Sequence, residues 1–166
     1  MRKTVWSGIV AAAAVLCFSA PVFAQAVANG SIGVTVTVSA KAKLTLGAAS
    51  VTFADADPET VPSLSSGAIT IDVKARTTTN GAVTLTVLAG GDLTSGSDTI
   101  AITNLTWSVA GSGFVAGAND KTTAQTVGSW TGSGTPSGTH TLALPNNWTY
   151  ATGSYVATLN YTLTAP

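Results

Sequence analysis

The chain has 166 residues, of which 45% are hydrophobic and 8% charged, and this length suits a single domain. Seven basic residues balance seven acidic ones, so no excess of positive charge favours binding to nucleic acid or to an anionic membrane surface. The composition therefore argues against a nucleic-acid-binding role.

Residues 1–24 have the pattern of a secretory signal peptide. Arg2 and Lys3 form a basic start, an apolar run extends over residues 9–18, and residues 22–24 read Val-Phe-Ala, with a small residue at the cleavage site. We expect cleavage after Ala24 and export through the periplasm, so that the mature chain is secreted or held at the cell surface. It would contain five basic and seven acidic residues.

The single cysteine, Cys17, lies inside this signal peptide. Leu16 precedes it where a lipoprotein signal needs a small residue, which argues against lipid attachment. Without Cys17 the mature chain can form no disulfide and no thiolate site. No second apolar stretch approaches the roughly 20 residues of a transmembrane helix, so the sequence predicts no membrane span in the mature chain.

Residues 25–40 form a leader followed by a candidate donor strand. Ile32, Val34, Val36 and Val38 alternate with glycine and threonine, which predicts a strand with one apolar face. No acidic residue interrupts this run, and a free strand of this kind is prone to aggregate. It therefore either completes its own sheet or inserts into a neighbouring subunit that lacks a strand.

The same period-two alternation continues along residues 41–166, the predicted single domain. We predict an all-β fold, an antiparallel immunoglobulin-like β-sandwich of about 8–10 strands, with a barrel as the alternative. Asn80-Gly81 predicts a tight turn with positive φ. Strands are predicted at 43–46, 50–53, 68–75, 82–88, 99–103, 105–109, 124–130, 139–144 and 154–164, with Ile69, Ile71, Val73, Ala75, Val83, Leu85 and Val87 facing inward.

The sequence carries few groups suited to catalysis. His140 is the only histidine, and no G-x-S-x-G nucleophile motif accompanies it, so we interpret it as a solvated strand residue. The acidic residues fall in loops or on polar strand faces, where paired-carboxylate chemistry is not expected. The sequence therefore predicts neither an enzyme nor a cofactor.

The acidic run Asp55, Asp57 and Glu59 is a weak calcium candidate. Carboxylates at alternate positions can converge on a hard cation, although the run lacks the glycine and terminal glutamate of an EF-hand loop. The alternative interpretation is an acidic turn ended by Pro58.

Aromatic residues suggest a second binding function. Trp148 and Tyr150 would lie on one face of an extended segment, where flat rings can stack on a sugar. Trp107, Trp130 and this pair are otherwise expected to pack in the core or at a sheet edge.

The C-terminal strand is predicted to be the longest in the chain. It follows Gly153, and Tyr155, Leu159, Tyr161 and Leu163 alternate inward along it. Gly153 lies fourteenth from the C terminus, as a glycine does in many chaperone-usher pilins.

Together the signal peptide, the alternating run 31–38 and the closing segment 153–164 resemble those of secreted pilin-like β-sandwich proteins of bacteria, including spore coat protein U and alternative chaperone-usher pilin groups. The chain departs from them in having Ala165 as its penultimate residue and no intradomain disulfide.

The resemblance implies a subunit of a pilus or fimbria-like filament with a role in adhesion. Such a subunit self-associates by donor-strand exchange, with Ile32, Val34, Val36 and Val38 as the inserted residues. A periplasmic chaperone and an outer-membrane usher are the implied partners. The alternative is a monomeric secreted module that binds carbohydrate or another surface ligand.

Overall fold

The computed structural model describes residues 26–166, which contain ten β-strands, one 3-10 helix at Ile102–Asn104 and no α-helix. The predicted signal peptide and Cys17 lie outside the described residues. Within the described range, no helix has the length and apolar character to cross a membrane. The strands are β1 Lys41–Leu46, β2 Ser63–Arg76, β3 Ala82–Ala89, β4 Leu93–Ser95, β5 Asp98–Ile100, β6 Thr106–Ala110, β7 Gly117–Ala118, β8 Gln125–Thr131, β9 Ser137–Pro145 and β10 Leu159–Thr164.

Residues 37–166 form an antiparallel β-sandwich. One sheet has the strand order β1-β2-β9-β6-β7, the other has the order β10-β3-β8, and β4 and β5 form a small separate pair. Ile71 and Val73 from the first sheet and Leu85 and Val127 from the second are at most 1% exposed and belong to one core. The predicted fold class is confirmed, and the separation into two main sheets rules out the barrel alternative.

The alternation predicted for the central strands is also confirmed. In β2, Ile71, Val73 and Ala75 are buried and the residues between them are exposed. The same pattern buries Val83, Leu85 and Val87 in β3. Successive side chains of a strand point to opposite faces, so local sequence alone was enough to assign these positions.

Four predicted strands differ from the structure. Residues 32–38 and 50–53 form no strand, and the C-terminal strand begins at Leu159 instead of residue 154, after an isolated bridge between Thr94 and Val156. The strand predicted at 99–103 is reduced to β5 Asp98–Ile100, because Ile102–Asn104 form the 3-10 helix. The longest strand is β2, with 14 residues. An alternating pattern makes a segment able to form a strand, but a strand exists only where another backbone pairs with it.

The turn at Asn80-Gly81 joins β2 to β3, but these strands belong to different sheets and do not form a hairpin. Neither residue has positive φ, so that expectation was wrong. Gly81 is needed for a different reason: a Cβ at this position would lie 2.3 Å from Thr77 Oγ1. The glycine therefore permits a close approach of the chain to itself.

Candidate functional site

Each main sheet ends in a strand with a free edge, and these two strands are near neighbours. Among the described residues, β1 pairs only with β2, and β10 pairs only with β3. β1 and β10 are in contact across the sandwich. The outer backbone N–H and C=O groups of an edge strand are open to pairing with a further strand.

Beyond β1 the chain continues along this edge without forming a ladder. The Gly47 N–H donates to the Thr70 carbonyl at 2.8 Å, and a Cβ on Gly47 would lie 2.1 Å from Thr70 Oγ1, so only glycine allows this close passage. Residues 48–56 then form no strand. Val51 and Phe53 are half-buried and pack against the core from this segment.

The segment after β1 and the segment leading into β10 form the two walls of an apolar groove with a volume of about 410 Å³. One wall contains Leu46, Val51 and Phe53, and the other contains Tyr155, Leu159 and Tyr161. The floor of the groove consists of side chains that are themselves buried or half-buried: Ile69, Ile71, Leu93, Leu105, His140 and Leu142.

His140 is buried in this lining, with 0% of its surface exposed, so its interpretation as a solvated residue was wrong. It faces inward because β9 pairs with β2 on one side and β6 on the other, which places alternate β9 residues in the core. The His140 ring packs edge-on against Trp107 and Tyr161, at centroid distances of 5.4 Å and 5.8 Å.

The polar atoms of His140 are only partly satisfied. His140 Nδ1 and the Tyr161 hydroxyl share a hydrogen bond of 3.0 Å, whereas Nε2 has no hydrogen-bond partner within residues 26–166. Burial lowers the pKa of His140 to about 4 and raises the pKa of Tyr161 to about 12. Both groups are therefore neutral at pH 7, as is required of ionisable groups in an apolar groove.

The apolar side chains of the predicted donor segment are exposed to water, whereas the side chains on the floor of the groove are buried or half-buried. The exposed fractions are 91% for Ile32, 82% for Val34, 76% for Val36 and 64% for Val38. They are four of the ten large hydrophobic residues that are exposed in the described chain. Burying them would remove a large apolar area from water.

The residues predicted for the C-terminal strand lie partly in β10, which forms one wall of the groove, and partly in the loop before β10. Gly153 lies in that loop, outside β10. Tyr155 donates its hydroxyl hydrogen to the Ala151 carbonyl at 3.0 Å. Leu159, Tyr161 and Leu163 alternate along β10 and are half-buried against the core, as predicted.

Trp148 and Tyr150 do not form the extended pair that a sugar platform would need. They lie in a turn in which Asn147 Oδ1 accepts from the Thr149 N–H at 2.9 Å and the Asn147 carbonyl accepts from the Tyr150 N–H at 3.1 Å. Trp148 is 68% exposed, whereas Tyr150 packs against the core. Trp107 is buried, and Trp130 is half-buried against Phe114.

The acidic run forms a turn. Asp57 Oδ1 accepts from the Glu59 N–H at 2.9 Å, and the Asp57 carbonyl accepts from the Val61 N–H at 2.8 Å. The Asn146 side chain ties this turn to the end of β9 by donating to the Ala56 and Val61 carbonyls. Within residues 26–166 no three side chains of the metal-binding types come together, those of Asp55, Asp57 and Glu59 included.

Sequence reasoning missed one wall of the groove and its polar lining. The sequence predicts a strand at residues 50–53 and a solvated surface position for His140, and the structure shows neither. The alternation of β9 could have predicted the burial of His140. His140, Leu142 and Leu144 are alternate residues and therefore lie on the same face of the strand, which is the buried one, while threonines flank His140 on the other face.

A comparison of the chain with protein-family models, and with curated proteins, finds no match.

Proposed function

We propose that this chain is an extracellular structural subunit of a surface filament, and that copies assemble by β-strand complementation. In this arrangement Ile32, Val34, Val36 and Val38 of one copy fill the apolar groove of the next. A periplasmic chaperone would keep the groove covered before assembly, and an outer-membrane usher would join the subunits.

One observation supports this proposal most directly: the same chain has an exposed alternating apolar segment and an apolar groove between two free strand edges. The segment contributes four apolar side chains on one face. The groove lacks a strand beside β10, the edge of the three-stranded sheet. Each feature by itself exposes apolar area to water, and pairing them would remove both exposures.

The dimensions and energies agree with such a fit. The seven residues 32–38 would extend over roughly 23 Å at about 3.3 Å per residue, and the wall from residue 46 to residue 53 has one residue more. Burial of each large aliphatic side chain contributes about 1.5 kcal/mol or more, and each backbone hydrogen bond about 1 kcal/mol net. These contributions suffice for a long-lived non-covalent polymer.

Two matched variants test the proposal. Val36→Asp places a charge on the face that would enter the groove, whereas Thr35→Asp places the same charge on the opposite face of the same segment. We expect wild-type and Thr35→Asp chains to form filaments, seen by negative-stain electron microscopy and size-exclusion chromatography. Val36→Asp should stay monomeric with unchanged circular dichroism, because a buried unpaired carboxylate is strongly unfavourable.

Filaments of Val36→Asp would contradict the proposal, and so would a wild-type chain that stays a monodisperse monomer. The second result would favour the monomeric alternative, a module that binds carbohydrate or another surface ligand with Trp148 exposed.

A further inference from the structure

Four of the five basic residues in the described chain lie together at one end of the first sheet. Lys41 in β1 is directly opposite Arg76 in β2, and Lys43 is directly opposite Lys74. All four are exposed, and the flanking Val73 and Ala75 are buried, so the four cations share the outer face. We call this group the basic end.

The basic end is unusual because like charges directly opposite each other in a sheet are destabilising. No ion pair relieves them within residues 26–166, where the only salt bridge joins Lys121 to Asp92. Asp72 lies on the same outer face, and its Oδ1 accepts a hydrogen bond from Ser137 Oγ at 2.6 Å. A shallow depression of about 310 Å³ opens among the four cations, with Gly134 and Thr135 at its border.

The acidic turn lies at the other end of the same sheet. Residues 55–59 precede β2, which starts at Ser63, and the Asn146 bonds hold the turn beside Pro145, the partner of Ser63. The 14 residues of β2 separate the two ends by roughly 40 Å. This distance is several times the Debye length of about 8 Å at physiological ionic strength, so the two ends do not neutralise each other within one copy.

Strand directions connect these ends to the groove. β3 starts next to the basic end, after the turn that follows Arg76, and β10 is antiparallel to β3. β10 therefore runs from the acidic end toward the basic end. The wall after β1 runs the opposite way, and it reaches Phe53 two residues before Asp55. One end of the groove thus opens beside the acidic turn.

A strand inserted antiparallel to β10 would leave the groove at this acidic end. Only Ser39 and Ala40 separate Val38 from Lys41, where the donor copy begins its own β1. Three residue steps cover about 10 Å. The donor's basic end must then lie close to the acceptor's acidic turn. Insertion in the opposite direction would instead place two basic ends together.

We propose that the basic end is a docking surface for a second copy of this chain and that it receives the acidic turn Asp55, Asp57 and Glu59 of that copy. This inference rests on the proposed function and adds the direction of insertion to it. The inserted strand runs antiparallel to β10, and the copies stack head to tail. A contact between two different surfaces of identical subunits generates an open, polar filament.

Charge reversal at each end tests the docking surface. The basic-end variant carries Lys41→Glu, Lys43→Glu and Lys74→Glu. The acidic-turn variant carries Asp55→Lys and Glu59→Lys and keeps Asp57, because Asp57 Oδ1 accepts a turn hydrogen bond. Folding of both full chains is checked by circular dichroism. Each variant alone should elongate seeded filaments roughly tenfold or more slowly than wild type at physiological salt, since like charges now meet.

An equal mixture of the two variants provides the decisive comparison. In the mixture every contact can again join opposite charges, so we expect elongation to recover and the variants to alternate along the filament. The mixture should lose rate with added salt, as the wild type does. Recovery in the mixture together with slow elongation of both single variants supports the proposal.

Three results would overturn it. An acidic-turn variant that elongates like wild type would mean that the acidic turn is not at the contact. Failure of the mixture to recover, with both chains folded, would exclude direct pairing of the two ends. A basic-end variant that assembles normally but is no longer retained on heparin-agarose would mean that the basic end binds an anionic polymer and not a second copy. In all three cases filaments that depend on Val36 would leave the proposed function standing, whereas absence of wild-type filaments would remove both.

Discussion

At the scale of single residues, His140 shows how a strand position decides the chemistry of a side chain. The imidazole is buried with one nitrogen bonded to Tyr161 and the other unpartnered in the described chain. Desolvation disfavours the charged form, so the pKa falls from 6.5 to about 4. The unfolded chain therefore binds a proton at a higher pH than the folded chain does.

This pKa predicts a loss of stability in mild acid. The contribution of neutral His140 is fully present above pH 6.5 and is lost as the pH falls toward 4, because the unfolded state takes up the proton first. The expected loss is about 3 kcal/mol. Urea unfolding of the monomeric Val36→Asp chain between pH 7 and pH 4 measures it.

His140→Gln is the control for this prediction, since His140 is the only histidine. The Gln chain should unfold at a nearly constant urea concentration over this pH range. An equal pH dependence in both chains would show that other groups cause the loss. The carboxyl groups of Asp92 and Asp120 have lowered pKa values, Asp92 mainly through its hydrogen bond from Lys121 and Asp120 mainly through the Thr122 N–H, so their effect falls at more acidic pH.

At the scale of elements, the groove and the alternating segment have matching apolar surfaces in one chain. A strand whose backbone groups and side chains lack partners gains both when it enters a sheet beside a free edge. The stabilisation depends on the register of the inserted strand, because a shift by one residue would turn its apolar side chains outward and its threonines inward.

A synthetic peptide of residues 31–39 should therefore stabilise the Val36→Asp chain, whose groove is free of a competent donor segment. We expect the melting temperature of that chain to rise with peptide concentration, because a ligand that binds only the folded state stabilises it. A peptide with Val36→Asp should give no rise. Equal shifts with both peptides, or no shift with either, would mean that the groove does not select this segment.

At the scale of the whole molecule, the sandwich is a folded unit with an apolar groove at one edge. Insertion of a strand from another copy would extend the three-stranded sheet and cover half-buried side chains of the groove walls, such as Phe53 and Tyr155. The contacts between copies would then add to the stability of the single chain.

Wild-type filaments should therefore resist guanidinium chloride at concentrations that unfold the monomeric Val36→Asp chain. The Thr35→Asp filament, which carries the same added charge, should resist as the wild type does. Tryptophan fluorescence can follow both transitions because Trp107 is buried in the core. Coincident midpoints for filament and monomer would show that subunit contacts add no stability.

The fold class and the inward residues of β2 and β3 could be predicted from sequence, because the period-two alternation of a strand is a local property. The N-terminal segment could be singled out for the same reason. The length of the C-terminal strand and the state of residues 50–53 could not be predicted. Both depend on whether a distant backbone pairs with them, and alternation alone does not carry that information.

The order of residues in this chain is enough to predict an all-β sandwich, an apolar segment at Ile32–Val38 and the acidic run at residues 55–59, since each follows from neighbouring side chains. Tertiary pairing alone determines that β1 and β10 are left with free edges, that His140 is buried against Trp107 and Tyr161, and that Lys41 lies opposite Arg76, 35 residues later in the chain. These features arise where the strand ladders end, and the position of those ends follows from contacts between residues far apart in the chain.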